Sequence, residues 1–284
     1  MKTYLLLPLF AAAFLTAGAD PDPAALQRGR AALERGFDRE DQKISQAQEQ
    51  AMIKVRARER ELRAAAERDS TAGVDLATFM MTAGAKGIDF DKIAAAKLAT
   101  DEVSNQVNHQ LTPEAEQTIQ AQRDALNRRR TLELAKFDAK MIPDGEGADK
   151  ARDEQIKRAE LNAQWQEKTD ALDREERRTL QKLEFEQTSK LNAVEAQIYA
   201  LQQKQAWAAQ KKLQEESQGG KTPDMTAYAQ ALASASPEAK SLIVKRDELK
   251  NALQTAREEL SAQYSVKRTD LQNQRDDDLA KLGQ

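Results

Sequence analysis

The sequence predicts an all-α, elongated protein: about four long helices that double back as antiparallel, coiled-coil-like hairpins with short capping helices. Three observations carry this prediction. Beyond Gly36, glycine and proline are confined to a few breaks, so the stretches 37–72, 114–142, 148–218 and 238–282 contain neither residue and are dense in helix formers. Charged residues make up 32% of the chain and aromatics only 5%, too few large apolar groups to fill the core that a compact chain of this length would need. The apolar residues that remain recur in steps of three, four and seven, which is the spacing of a single narrow helical seam.

The first nineteen residues stand apart. Lys2 gives a positive start, Tyr4 to Leu15 is an apolar run broken only by Pro8, and Ala17-Gly18-Ala19 is a small-x-small signal ahead of Asp20. Residues 1–19 therefore read as a secretory signal peptide. The run is shorter than the roughly 20 apolar residues a membrane span needs. Export to the periplasm or beyond is the expected localisation.

Residues 20–142 read as a first helical hairpin. Its outgoing helix carries the seam Leu26, Leu33, Phe37, Ile44, Ala51, Val55 and Leu62. Gly29 and Gly36 on that helix either admit a close neighbour or weaken the helix. An apolar cap is expected near 71–111, and the returning helix is expected to start at Thr112-Pro113-Glu114. There a hydroxyl, a proline at the first helical position and an acid at the positive end of the dipole coincide. Pro143 to Gly147 forms a turn.

Residues 148–284 read as a second hairpin with a break near 219–236. Leu191, Val194, Ile198, Leu201 and Ala208 form the seam of its first helix, and Trp165 extends the line from Leu161 to Leu172. Leu249, Leu253, Leu260, Tyr264 and Leu271 form the seam of its second, which starts at Ser236-Pro237-Glu238. Asp75 to Phe79 resembles Asp224 to Tyr228, and each is followed by one of the two proline starts, as a duplicated hairpin would show.

Composition narrows the chemistry. The chain has no cysteine and a net charge of −3, so disulfides, thiolate metal sites and cysteine nucleophiles are excluded, and nucleic acid is not an expected partner. His109 is the only histidine; this rules out two-histidine metal centres, and the residue is expected at the surface. Asp89-Phe90-Asp91 and Asp144-Gly145-Glu146 lack the ligand spacing of a calcium loop. No phosphate loop or dinucleotide fingerprint is present. No catalytic, metal or cofactor site is expected.

One segment stands out for binding. Val74, Leu76, Phe79, Met80, Met81, Ile88, Phe90 and Ile93 make 74–93 the least polar part of the mature chain, either a local core or a surface for a protein partner or client. The runs Arg128-Arg129-Arg130 and Asp276-Asp277-Asp278 read as solvated faces. The expected function is that of an exported, non-enzymatic interaction protein: an envelope scaffold, spacer or chaperone-like holdase that contacts protein partners or itself through helical seams. The alternatives are a membrane-surface binder using the apolar tip, which is less favoured, and an enzyme with a carboxylate site that no motif reveals.

Overall fold

The structure, a computed structural model, describes residues 23–71, 90–218, 226, 229 and 235–282. Its elements are α1 (Pro23–Thr71), α2 (Phe90–Gln106), a π segment (Val107–Leu111), α3 (Thr112–Ala139), α4 (Ala148–Gln218) and α5 (Pro237–Leu282). The leader 1–19, Val74 to Ile88, and the similar segments 75–79 and 224–228 (save Thr226) lie outside the described residues.

Because α2, the π segment and α3 run into one another, the elements make four rods. At 1.5 Å per residue, the 71 residues of α4 give a rod of about 105 Å, and the 49 of α1 one of about 75 Å. Packing follows chain order: α1 lies on α2 and α3, these lie on α4, and α4 lies on α5. Among the described residues, no packed interface joins α1 to α5. The result is an open row of antiparallel rods, not a closed bundle.

The seams account for this packing. On α5, Leu253 and Tyr264 are buried and Leu249, Leu260 and Leu271 half-buried, while most intervening positions face solvent. On α1, Phe37 is buried and Leu26, Leu33, Ile44, Ala51, Val55 and Leu62 are half-buried. On α4, Trp165, Leu172, Val194 and Ile198 are buried, and only Ala208 of the expected seam is exposed. Burying each such side chain contributes about 1.5–3 kcal/mol relative to exposure, and one stripe per helix suffices for one or two neighbours.

The turn between α3 and α4 is fixed locally. Ala148 N–H donates to the Gly145 carbonyl at 3.0 Å, and Gly147 takes φ +83°, a left-handed conformation that suits glycine. Arg152 reaches back to the Ile142 carbonyl and the Asp144 carboxylate. Gly29 sits opposite this end of the second rod, where a Cβ would lie 3.1 Å from the Phe137 ring, whereas a Cβ on Gly36 would meet nothing within 4 Å. The close approach permitted by the glycine pair therefore occurs at Gly29 alone.

Of the two expected proline helix starts, Ser236 behaves as a cap: Ala239 N–H donates to its Oγ at 3.1 Å. At Thr112 the boundary is a change of helix type. α-helical bonding resumes there with Pro113 in the first turn, but the Thr112 hydroxyl makes no cap bond and Leu111 remains helical at φ −67°, ψ −47°. Thr112 N–H instead donates to the Val107 carbonyl, five residues back.

Two features of the sequence force this π turn. Pro113 has no N–H, and its ring would strike the His109 carbonyl in a regular α-helix. The buried positions Ile93, Ala96, Val103 and Val107 step by 3, 7 and 4, and Ile119 to Leu126 by 7, but Val107 to Ile119 is a step of 12. Three α-turns take about 11 residues. The π turn absorbs the additional residue and keeps both halves of the rod facing α4.

Two outcomes follow. Gly36→Ala should raise unfolding stability by about 0.5–1 kcal/mol through propensity alone, and Gly29→Ala should gain less or lose, because Phe137 must move; urea unfolding of the two variants measures the difference. Deleting Gln110 together with Pro113→Ala should give a continuous α-helix whose thermal midpoint matches or exceeds that of the unmodified chain. Deleting the exposed Gln122 should lower the midpoint sharply, since it turns the seam by about 100°.

Candidate functional site

One set of polar groups inside the array collects near the π turn, where all four rods are tied across. On α1, Arg63 Nη2 donates to Ser104 Oγ of α2 at 3.3 Å. Asn105, beside it and only 3% exposed, donates from Nδ2 to the Phe185 carbonyl of α4 at 3.0 Å. His109 Nδ1 lies 3.3 Å from Glu184 Oε2, and Arg257 of α5 donates to the other oxygen of Glu184 at 2.6 Å. Glu102 accepts from Ser189 Oγ at 2.6 Å and from Asn192 Nδ2 at 3.2 Å.

This belt is a set of braces. Each charged group is engaged by a neighbouring rod, and the buried atoms without a partner there are Asn105 Oδ1 and Arg257 Nε. A buried polar atom left unsatisfied costs about 1–3 kcal/mol; the belt therefore adds less stability than its bonds suggest. What it supplies is alignment, because a rod that slides loses several bonds together.

His109 corrects the surface expectation. It is half-buried against Glu184, brought there by the π turn. The arginine run is only in part a solvated face. Arg128 pairs with Asp170 of α4, and Arg129 and Arg130 pair with Glu40 and Asp38 of α1, so successive positions serve opposite neighbours of the second rod. Among the described residues, Asp276 and Asp278 meet only Arg275 and Lys281 of their own helix, as a solvated face would.

Of the expected partner-binding residues, only Phe90 and Ile93 are among the described residues. Ile93 is buried at 6% exposure and packs inside the array. Half-buried Phe90 meets the Trp207 ring with centroids 6.5 Å apart, and Trp207 keeps 40% exposure. Next to them, an open trough of about 450 Å³ is floored by Ala193, Ala196 and Ala200 of α4 and flanked by Leu98 of α2 and Leu242 of α5. Lys204 donates to Asp91 across it at 2.7 Å. Small side chains on α4 create the space, and sequence periodicity gave no sign of it.

Among the described residues, no group of three or more His, Cys, Asp or Glu side chains could hold a metal ion, and no helix is long and apolar enough to cross a membrane. No protein-family model matches the chain, and comparison with curated proteins and with solved structures finds no match.

The α4–α5 contact carries a titrating brace. Tyr264, 3% exposed, donates its hydroxyl to Glu175 Oε1 at 2.9 Å, and Lys267 Nζ approaches the same oxygen at 3.2 Å. The Tyr264 bond first, and the Lys267 charge second, hold the Glu175 carboxyl below its ordinary range. A lowered carboxyl pKa stabilises the fold above its unfolded value of about 4.3 and loses that stabilisation as pH falls further. Thermal unfolding followed at pH 6 and pH 3 should therefore show a smaller acid-induced drop for Glu175→Gln than for the unmodified chain.

Proposed function

We propose that this chain is an exported, non-enzymatic helical interaction protein of the cell envelope, a scaffold, spacer or holdase that works along its helix faces. The observation that carries the reading is the open row. Among the described residues, α1 and α5 each pack on one neighbouring rod, so each of these long helices keeps a side with no described helix against it. An isolated helix is marginal in water, and a sequence that needed only a stable monomer would close the row. Trp207, with its indole part-exposed beside Phe90, adds an aromatic surface of the kind enriched at protein interfaces. The apolar segment 74–93 is the second element of the proposed contact surface, and the leader-like composition of 1–19 supports export.

Two measurements test the reading. The chain recovered from an envelope extract should begin at Asp20. A photo-crosslinking residue introduced at Ile53 or Trp207 should capture discrete protein partners in intact cells, or the mature chain should suppress aggregation of heat-unfolding citrate synthase at near-stoichiometric ratios. Recovery of an unprocessed chain would overturn the export half. Failure of both capture and aggregation suppression would overturn the interaction half.

A further inference from the structure

The two outer edges of the row carry opposite charge, and the cause lies in how each outer helix spends its charges on its neighbour. On α1, the acids Asp38, Glu40 and Asp41 turn inward to Arg130, Arg129 and Arg123. Exposed Arg35, Arg39, Lys43 and Lys54 lie off that contact, reaching no carboxylate among the described residues. On α5, the bases Lys250, Arg257, Lys267 and Arg268 turn inward to acids of α4. That leaves exposed Glu248, Glu259, Asp270 and Asp277 outward. Glu49, Glu61 and Glu67 on α1 and Lys240, Lys245 and Lys281 on α5 are the exceptions.

We infer that copies of this chain associate head to tail, the basic edge of α1 in one molecule lying antiparallel against the acidic edge of α5 in the next. The inference rests on the interaction reading above and names the partner as a second copy. Geometry supports it in three ways. The edges are of similar length, 49 residues in α1 and 46 in α5. The rods alternate in direction, so α5 followed by the next molecule's α1 continues the alternation. The cross-rod pairs also set relative heights. Arg63 is level with Ser104, Glu102 with Ser189 and Asn192, and Glu195 with Lys250; toward the other end, Asp38 is level with Arg130, Arg128 with Asp170, and Asp173 with Arg268. With the next copy set beside the first without axial shift, Lys43 falls near the level of Asp270 and Lys54 near that of Glu259. Apolar anchors lie on the same edges: Ile53 is 54% exposed, Val244 58% and Val266 62%.

Such a contact is heterologous, joining different surfaces, and it extends into a ring or a filament. Exposed ion pairs are individually weak and screened by salt. The association is therefore concentration-dependent and salt-sensitive.

A charge-exchange experiment on the mature chain tests this. Sedimentation velocity should show a weight-average mass that rises with concentration near 0.05 M NaCl and falls toward one chain near 0.5 M, where screening shortens from over 10 Å to about 4 Å. One variant carries Arg39→Glu, Lys43→Glu and Lys54→Glu, and a second carries Glu248→Lys, Glu259→Lys and Asp270→Lys. Each variant alone presents two edges of like charge and should associate at least tenfold more weakly; mixed in equal amounts, the two should associate again. An unmodified chain that stays monomeric throughout, reversed variants that associate as before, or a mixture that stays apart overturns the inference. If a variant fails to fold, as judged by circular dichroism, the salt series on the unmodified chain decides alone. A monomeric chain that still captures other proteins from Ile53 or Trp207 overturns self-association and leaves the interaction reading standing.

Discussion

Everything in this molecule depends on the narrowness of its apolar seams. A helix with one stripe of leucines, valines and alanines can bury that stripe against one or two neighbours and no more, so the chain has no means of wrapping a globular core. Tyr264 and Trp165 are among its most deeply covered large side chains, at 3% and 4% exposure, and each lies on a line of contact, not at the centre of a body. The four rods extend as a row because their sequences offer nothing to fold around.

Charge supplies what the seams do not. A heptad stripe is nearly invariant to sliding by one repeat, so register must come from groups that recur irregularly. The belt around Asn105, Glu184 and Arg257, together with the arginine run at 128–130, supplies such groups across all four rods. These braces divide each outer helix into an engaged side and a free side. The sign asymmetry of the free edges is thus a by-product of specifying the fold, and it gives the open row a direction.

Much of the fold was legible in the sequence because it rests on periodic features. The seams of α1, α4 and α5 face their neighbours as their spacing implies, and the ends at Ser236 and at the Pro143 to Gly147 turn follow from local chemistry. An α-helix does start at Thr112 with Pro113 in its first turn, but it continues a π turn and takes no hydroxyl cap, which proline after a hydroxyl does not signal. The 12-residue step from Val107 to Ile119 was the contrary sign, and it needs the face of α2 to be known before it can be read. Charges were the least legible part. Whether Arg129 meets solvent or Glu40 depends on which helix lies alongside, and nothing in one helix records that. The same limit explains why His109 looked like a surface residue and why the alanine-floored trough went unforeseen.

Small-angle X-ray scattering of the mature chain in high salt, where single molecules prevail, addresses the open-row architecture most directly. A row built around α4 predicts a maximum dimension of at least about 105 Å, from 71 residues at 1.5 Å each. A radius of gyration near 19 Å, the value expected of a compact chain of this length, would contradict it.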